Sequence, residues 1–147
     1  MAAAAVHASC VAVGEAGILI RGASGSGKSR LAREILASAG ASASAFARLV
    51  SDDRVRLESR SGRLIARAVP AIAGRIEMRG LGLISVPYER AVVIRLVVDV
   101  ASEHGERLPD DANNAVEVCG VTLPRVTGKL ESLAGAVVWQ VNVIMTG

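Results

Sequence analysis

The segment from Gly22 to Ser29, GASGSGKS, constrains the fold more than any other part of the 147-residue chain. It satisfies the pattern G-x-x-x-x-G-K-[ST] in full, and it lies between an apolar run, GILIR, and an amphipathic segment, KSRLAREILASAG. A strand, a glycine-rich turn and a helix in this order are typical of a phosphate-binding loop (P-loop). The sequence therefore predicts an α/β fold that binds a phosphate group where this strand ends.

The residue types of this loop suit the phosphates of a nucleotide. Gly25 and Gly27 let backbone N–H groups approach the phosphates, where a Cβ atom would obstruct them. Lys28 supplies a compact cation at a helix N-terminus, and the Ser29 hydroxyl can ligate Mg²⁺. We expect ATP and Mg²⁺ as cofactors, with the nucleotide bound by Gly22, Ala23, Ser24, Gly25, Ser26, Gly27, Lys28 and Ser29.

The remaining patterns predict one α/β domain, residues 1–147, with a mixed and strand-rich sheet. Two strands flank a turn within VHASCVAVGEAGILIRG, and hairpins are expected at Ser61–Gly62 and Cys119–Gly120. The run AVVIRLVVDV is long and apolar enough to form a central strand. The tail KLESLAGAVVWQVNVIM predicts a closing helix that buries Leu133, Val137 and Val141.

Two segments carry no clear period. The stretch AIAGRIEMRGLGLISVPYE is interrupted by glycines and matches neither a regular helix nor a regular strand, whereas EHGERLPDDANN is polar and predicts a loop. No internal repeat or low-complexity linker separates the chain into parts.

Composition excludes several classes of function. The net charge is only +3 and aromatic residues make up 2% of the chain, so we expect no nucleic-acid partner. No run of about 18 apolar residues predicts a membrane span, and the opening MAAAAV lacks the positive start of a signal peptide. Cys10 and Cys119 have no CxxC spacing and are expected to be buried free thiols, which favours a cytoplasmic location.

Several acids could serve a nucleotide site. Asp52 and Asp53 end the run RLVSDD, and they cannot both face the γ-phosphate if the strand continues through them. Asp99, in RLVVDV, reads as a solvated acid at a strand end. Spacing alone leaves the role of Glu77 open, and the segment around His7 by itself favours a structural histidine.

These pieces, in this order, resemble the catalytic domain of HPr kinase/phosphorylase. The matching features are VHAS, GASGSGKS, LVSDD and, above all, IEMRGLGLISV, which is similar to the family signature I-E-x-R-G-L-G-I-I. The resemblance covers about Val6 to Val100. The short length and the tail LPDDANNAVEVCGVTLPRV resemble the alphaproteobacterial form that lacks a separate N-terminal domain. The resemblance implies the fold shared by HPr kinase and phosphoenolpyruvate carboxykinase.

The resemblance also implies an activity. The family phosphorylates a serine of HPr, a small phosphocarrier protein, and removes that phosphate with inorganic phosphate to give pyrophosphate. By motif, Asp52 becomes the base in the forward direction and the acid in the reverse direction. Asp53, His7 and Lys28 become further catalytic groups, and Glu77 joins Ser29 as a metal ligand. The signature region comprises Ile76, Glu77, Met78, Arg79, Gly80, Leu81 and Gly82.

This chain departs from the family pattern at several positions. The family loop commonly has Asp after its first glycine and Glu after its serine, where this chain has Ala23 and Arg30. The family also has an RPGRN-like segment that contributes an arginine to the site. Here only LPRVTG is present, which makes Arg125 the candidate for that role. Full-length members are hexameric through this domain, so a homo-oligomer is expected.

Two other functions stay open from the sequence. A small-molecule kinase with a P-loop would need an arginine-rich lid, and RVRLESRSGRLIAR is the segment that could be read as one. Its alternation of Val55, Leu57, Leu64 and Ile65 with polar residues instead favours a solvated hairpin. A regulator that binds ATP without catalysis would tolerate Asp52→Asn, whereas an enzyme would lose activity and keep its affinity for the nucleotide.

Overall fold

The computed structural model describes residues 4–40, 46–101 and 114–146. The predicted loop EHGERLPDDANN lies outside these ranges apart from Asn114. Two helices are present in the described ranges: α1 (Lys28–Gly40) and α2 (Leu130–Thr146). The strands are β1 (Ala4–Val6), β2 (Ser9–Val13), β3 (Ala16–Arg21), β4 (Ala47–Ser51), β5 (Val55–Arg60), β6 (Arg63–Ala68), β7 (Arg75–Met78), β8 (Gly82–Ser85), β9 (Ala91–Val100), β10 (Ala115–Val118) and β11 (Val121–Gly128).

Most of the strands form one mixed sheet built around β9. In the described part of the chain the order is β1-β5-β6-β9-β3-β2-β4, and β11 joins β10 to β9. Strand β9 is the run AVVIRLVVDV; it pairs antiparallel with β6 and parallel with both β3 and β11. The predictions of a strand-rich mixed sheet and of a central β9 are therefore confirmed.

The predicted hairpins form where turn residues interrupt the alternation. Strands β5 and β6 turn at Ser61 and Gly62, which have φ angles of 54° and 76°. Strands β10 and β11 turn at Cys119 and Gly120, with φ angles of 50° and 81°. Two consecutive positive φ angles match the right-handed twist of the flanking strands.

The sheet buries both of its faces because its strands alternate between two apolar clusters. On β3, Ile18 and Ile20 pack into the cluster that contains the helices, whereas Leu19 packs into the cluster on the opposite face. Strands that are apolar on both faces are typical of the interior of a sheet.

The helices cover one face of the sheet, as the periodicity predicts. Leu31 and Ile35 of α1 are fully buried, and α2 buries Leu133, Val137 and Val141 at four-residue intervals. Each of these side chains contributes about 2 kcal/mol through removal of its apolar surface from water. The contact between α1 and α2 closes the helical layer over the sheet.

The segment AIAGRIEMRGLGLISVPYE has more regular structure than the sequence predicts. After a 3₁₀ turn at Pro70–Ile72, strands β7 and β8 form a separate two-stranded hairpin. Gly80 and Gly82 have φ angles of 88° and 81°, and they make the tight turn between the strands. The prediction of an irregular segment was wrong because strands of four residues are too short to display a period.

The two cysteines differ in their surroundings. Cys10 on β2 is buried, and burial raises the pKa of its thiol. Cys119 is only partly buried, because it occupies the β10–β11 turn rather than a strand, so the expectation of two buried thiols was half wrong. No helix within the described ranges is both long and apolar enough to cross a membrane.

Candidate functional site

A glycine-rich loop joins β3 to α1, in the strand–loop–helix order that the sequence predicts. The N–H of Ser26 donates to the carbonyl of Ala23 at 3.0 Å, which closes a turn at the start of the loop. Gly25 and Gly27 have φ angles of 79° and 105°. A Cβ atom at Gly27 would also lie 2.8 Å from Leu130 of α2, so this position needs glycine for two reasons.

The ammonium group of Lys28 lies inside the loop. It is almost fully buried and donates to the carbonyl oxygens of Gly22 at 2.9 Å and Ala23 at 3.2 Å. These two residues therefore hold the lysine, whereas the six residues from Ser24 to Ser29 line the adjoining cavity. A phosphate oxygen would compete with the two carbonyls for a cation that is already in place.

Asp52 ties three elements together at the end of β4. Its Oδ1 atom accepts hydrogen bonds from the Ser29 hydroxyl at 2.7 Å and the Ser9 hydroxyl at 2.9 Å. Its Oδ2 atom lies 3.5 Å from the backbone nitrogen of Glu77, which donates to it. Asp52 is nearly buried, so these contacts fix the carboxylate against the start of α1, where Ser29 lies.

Asp53 lies on the solvent side of the same turn. Its φ angle of 66° ends the extended backbone, and its N–H donates to Ser9 Oγ at 3.0 Å. Because β4 ends at Ser51, strand alternation does not govern the two acids. Asp52 contacts Ser29 and Asp53 lines the cavity, so both acids lie near the glycine-rich loop.

A cavity of about 900 Å³ separates the glycine-rich loop from the β7–β8 turn. It is the place where most of the predicted site residues meet. Its lining comprises Ser24, Gly25, Ser26, Gly27, Lys28, Ser29, Arg30, Arg33, Asp53, Glu77, Met78, Arg79, Gly80, Gly82 and Leu130. The loop and the signature region, about 50 residues apart in the sequence, therefore face each other across one space.

Five predicted site residues do not line this cavity, besides the two that hold Lys28. Asp52 contacts Ser29 and the backbone of Glu77, which line the cavity, and Ile76 is buried in the helix-side core. Leu81 points into solvent at the tip of the β7–β8 turn and is 71% exposed. His7 is exposed after β1, makes no hydrogen bond or ion pair with the described residues and does not line the cavity that Asp53 lines.

Arg125 lies in a buried ion-pair cluster rather than at the cavity. Its Nε atom donates to Asp99, which also accepts two hydrogen bonds from Arg21, at 2.8 and 2.9 Å. The reason is topological, because β3 and β11 flank β9 and direct both arginines at its carboxyl end.

The interpretation of Asp99 as a solvated acid was wrong, since only 7% of the residue is exposed. Burial by itself raises the pKa of Asp99. The hydrogen bonds and positive charges of Arg21 and Arg125 outweigh that effect and hold the pKa below its usual range.

Two residues of the site carried weak sequence signals. Ser9 is fully buried and joins Asp52 to the backbone of Asp53, yet only its position as a polar residue in an apolar strand could have indicated it. Arg33 donates to the carbonyl of Glu77 at 2.7 Å and lines the cavity. Its contact joins α1 to the β7–β8 hairpin, which spacing within the sequence does not reveal.

The oxygen atoms at the site suit a hard cation. Ser29, Asp53 and Glu77, which carry a hydroxyl and two carboxylates, all line the cavity. Within the described ranges, no group of three His, Cys, Asp or Glu side chains converges well enough to hold a metal by itself. Mg²⁺ typically takes few protein ligands and completes its shell with water and phosphate oxygens, so the residues fit Mg²⁺ bound together with a nucleotide.

Comparison with known proteins identifies the family. The family model described as HPr Serine kinase C-terminal domain matches residues 1–138. The HPr kinase/phosphorylase of Clostridium beijerinckii is 41% identical over 81 residues, which are 55% of this chain and 24% of that protein. The corresponding protein of Clostridium tetani is 40% identical over 82 residues, or 56% of this chain and 25% of that protein.

A solved structure shows the same fold along the whole chain. The HPr(Ser) kinase/phosphatase from Coxiella burnetii matches with a TM-score of 0.76 and 22% identity, covering 98% of this chain and 99% of that chain. The alignments with the clostridial relatives span about a quarter of the length of each relative. The chain belongs to the HPr serine kinase C-terminal domain family.

Proposed function

We propose that this member of the HPr serine kinase family transfers the γ-phosphoryl group of ATP to a serine of an HPr-like phosphocarrier protein. The observation that carries the proposal is the cavity in which the glycine-rich loop, Asp53 and the β7–β8 turn meet. This space offers a phosphate cradle on one side and carboxylates on the other. A phosphotransferase needs both, because it must hold the donor and take a proton from the acceptor.

The loop binds the triphosphate. Backbone N–H groups at the start of α1 and the Lys28 ammonium supply positive charge, and the open space at Gly25 admits the phosphates. On binding, Lys28 exchanges its bonds with the carbonyls of Gly22 and Ala23 for bonds with phosphate oxygens. The lysine is desolvated in advance, which lowers the cost of forming these charge-assisted bonds.

Ser29 and Glu77 are the residues proposed to hold Mg²⁺. When bound, the metal neutralises charge on the phosphates. The chain's own contribution is orientation. Asp52 accepts a hydrogen bond from the Ser29 hydroxyl and thereby directs the oxygen lone pairs of Ser29 away from the carboxylate. Arg33 holds the backbone of Glu77 and keeps the β7–β8 turn over the loop.

Asp52 is the proposed base for the incoming serine. A serine hydroxyl is a poor nucleophile at neutral pH, so a carboxylate that takes its proton during transfer assists the reaction. Asp52 does not itself line the cavity, so the serine hydroxyl would reach it between Ser29 and Glu77, which do. Its Oδ1 atom already accepts two hydroxyl groups, whereas Oδ2 has one long contact, with the Glu77 N–H, and is the oxygen that would take the proton. Asp53, on the cavity wall, is the supporting carboxylate.

The reverse reaction uses the same groups in the opposite order. Inorganic phosphate would attack the phosphoserine phosphorus, the bond to the serine oxygen would break, and Asp52 would return its proton to that oxygen. The products are pyrophosphate and the free serine. Atoms and charges balance without a further reactant, so one carboxylate can serve both directions.

A protein substrate agrees with the surroundings of the cavity. The arginine-rich hairpin β5–β6 is paired with β1 on one side and β9 on the other, so it is part of the sheet and cannot close as a lid over a metabolite. We therefore propose HPr rather than a small molecule as the acceptor. The proposal includes a single catalytic domain in the cytoplasm that forms homo-oligomers and uses neither nucleic acid nor membrane as a partner.

The experiment is transfer of labelled phosphate from ATP and Mg²⁺ to purified HPr. A variant of HPr in which alanine replaces the target serine is the control for the acceptor, and excess inorganic phosphate tests the reverse step. We expect label on the serine and its release as pyrophosphate. Tight binding of ATP without transfer would instead identify a non-catalytic regulator, and transfer only to a metabolite would identify a small-molecule kinase.

A further inference from the structure

The positive charge of this protein is concentrated on one hairpin. Residues 54–67, RVRLESRSGRLIAR, which are Arg54 and most of the β5–β6 hairpin, contain five arginines, one glutamate and no lysine, a formal charge of +4, whereas the whole chain carries +3. The remainder of the chain is therefore slightly negative. Such an uneven distribution indicates an interaction surface rather than general solubility.

The pairing of β5 with β6 places like charges directly opposite each other. Arg56 is the register partner of Arg67, and Arg60 is the register partner of Arg63. Each pair lies on the same face of the hairpin, because directly opposed residues share a face. Like charges at opposed positions lower the stability of a hairpin, so folding alone does not explain why two pairs are present.

One acid offsets only part of this charge. Glu58 forms ion pairs with Arg60 at 3.3 Å and with Arg67 at 3.2 Å. Arg56 and Arg63 are exposed, and neither forms an ion pair with any residue in the described ranges. We name the surface made by Arg56, Arg60, Arg63 and Arg67 the arginine face.

The arginine face is the uncovered side of this part of the sheet. Leu57 and Leu64 point to the opposite side, where they join the buried core. Between the arginines lie Glu58, its register partner Ile65 and, on β9, Val93, and all three are half-buried. Arginine is enriched at protein–protein interfaces, whereas the residues described on this face include no aromatic side chain on which a nucleic-acid base could stack.

We propose that the arginine face docks an acidic surface of the serine-bearing protein substrate, an inference that rests on the proposed function. The hairpin that carries the face begins close to the site in the chain, since Asp53 lines the cavity and β5 begins two residues later. At about 3.4 Å per residue, Arg60 lies roughly 24 Å along the chain from Asp53. A domain of about 100 residues has a radius of gyration of about 13 Å, so one substrate molecule can reach both.

Docking outside the cavity also meets a physical need. A specific protein complex buries about 800 Å² on each partner, and a single serine inserted into a cavity supplies only a fraction of that area. Guanidinium groups bind carboxylates through two parallel hydrogen bonds, which gives orientation as well as attraction. The arginine face would thus align the substrate so that its serine enters the cavity.

The test is charge reversal at the two unpaired positions, Arg56→Glu and Arg63→Glu. Each variant should raise the KM for HPr at least tenfold, leave kcat within about twofold, and leave the affinity for ATP unchanged. The matched control is Arg75→Glu, which reverses an exposed arginine on β7 and should change no constant by more than about twofold. Arg56→Glu places opposite charges across the hairpin, so its thermal midpoint should not fall.

Binding measured without turnover separates this inference from the proposed function. Titration of HPr into the protein loaded with a non-hydrolysable ATP analogue should give a higher Kd for the charge-reversed variants than for the unaltered protein. Charge reversal of an acidic residue of HPr should then restore the Kd. If HPr is phosphorylated but its KM and Kd are the same for the charge-reversed variants, the proposed docking surface is refuted and the proposed activity stands. If HPr binds through these arginines but is never phosphorylated, the docking surface stands and the activity is wrong. If the unaltered protein does not bind HPr, the docking proposal is refuted.

Discussion

Replacement of Asp99 by asparagine tests how much the ion-pair cluster of Asp99, Arg21 and Arg125 stabilises the fold. The substitution keeps the size of the side chain but removes the negative charge that Arg21 and Arg125 share. The side chain of Arg125 is 6% exposed, so it would lose the Asp99 carboxylate at a position where water can replace little of that interaction. Removal of one member of a buried ion pair lowers the free energy of unfolding by about 3–5 kcal/mol.

The expected loss lies at the lower end of that range. The Arg21 side chain is 34% exposed, so water can take over part of its interaction and its share must be discounted. We therefore expect Asp99→Asn to lower the free energy of unfolding by about 3 kcal/mol. For a chain of this length that corresponds to a fall in Tm of about 10 °C.

The assay is urea unfolding followed by far-ultraviolet circular dichroism, at pH values from 3 to 7. The folded-state pKa of Asp99 is lowered, so the stability it contributes is present above the ordinary aspartate pKa of about 3.9 and is lost as the pH falls toward the folded-state value. The difference between the protein and Asp99→Asn should therefore shrink below about pH 4.

Glu58→Gln is the matched control for this prediction. Glu58 also pairs with two arginines, but their side chains are 65% and 41% exposed, so its removal should cost less than about 1 kcal/mol. A loss below about 1 kcal/mol for Asp99→Asn, or a loss that stays constant from pH 3 to 7, would refute the reasoning.

Two further substitutions test the construction of the site. Ser9→Ala removes the hydroxyl that donates to Asp52 and accepts from the N–H of Asp53. It should lower the free energy of unfolding by about 1–3 kcal/mol and slow phosphate transfer. An unchanged stability and transfer rate would show that this hydroxyl does not hold the turn. Gly27→Ala forces a Cβ atom against Leu130 at a φ angle of 105°, so it should weaken ATP binding at least tenfold, as measured by calorimetry; unchanged affinity would contradict the described loop.

Local patterns predicted much of the fold. The glycine-rich loop, both helices and the β5–β6 turn follow from short-range signals: a motif, a helical period and two turn residues. The β7–β8 hairpin was not predicted because four-residue strands show no period. Only the burial of Ile76 against the helix-side core shows which face of the hairpin points inward.

The candidate site was predictable where its residues are close in the sequence. The sequence identified Asp52 and Asp53 as a pair of candidate acids. Which of them is buried and which faces solvent depends on the φ angle at Asp53, which the sequence does not predict. The burial of Asp99 depends on β3 and β11 lying on both sides of β9, a long-range pairing. The same pairing carries Arg125 into that cluster rather than to the cavity.

The most direct test of the central claim is single-turnover transfer from ATP to HPr by Asp52→Asn, with the affinity for ATP measured on the same preparation. The carboxylate contacts Ser29 but does not itself line the cavity, so the nucleotide should bind within about threefold of the unaltered protein. Loss of the base should slow transfer by about 10²–10⁴-fold. Transfer at the unaltered rate by Asp52→Asn would show that this carboxylate does not take the serine proton, and the proposed mechanism would be wrong.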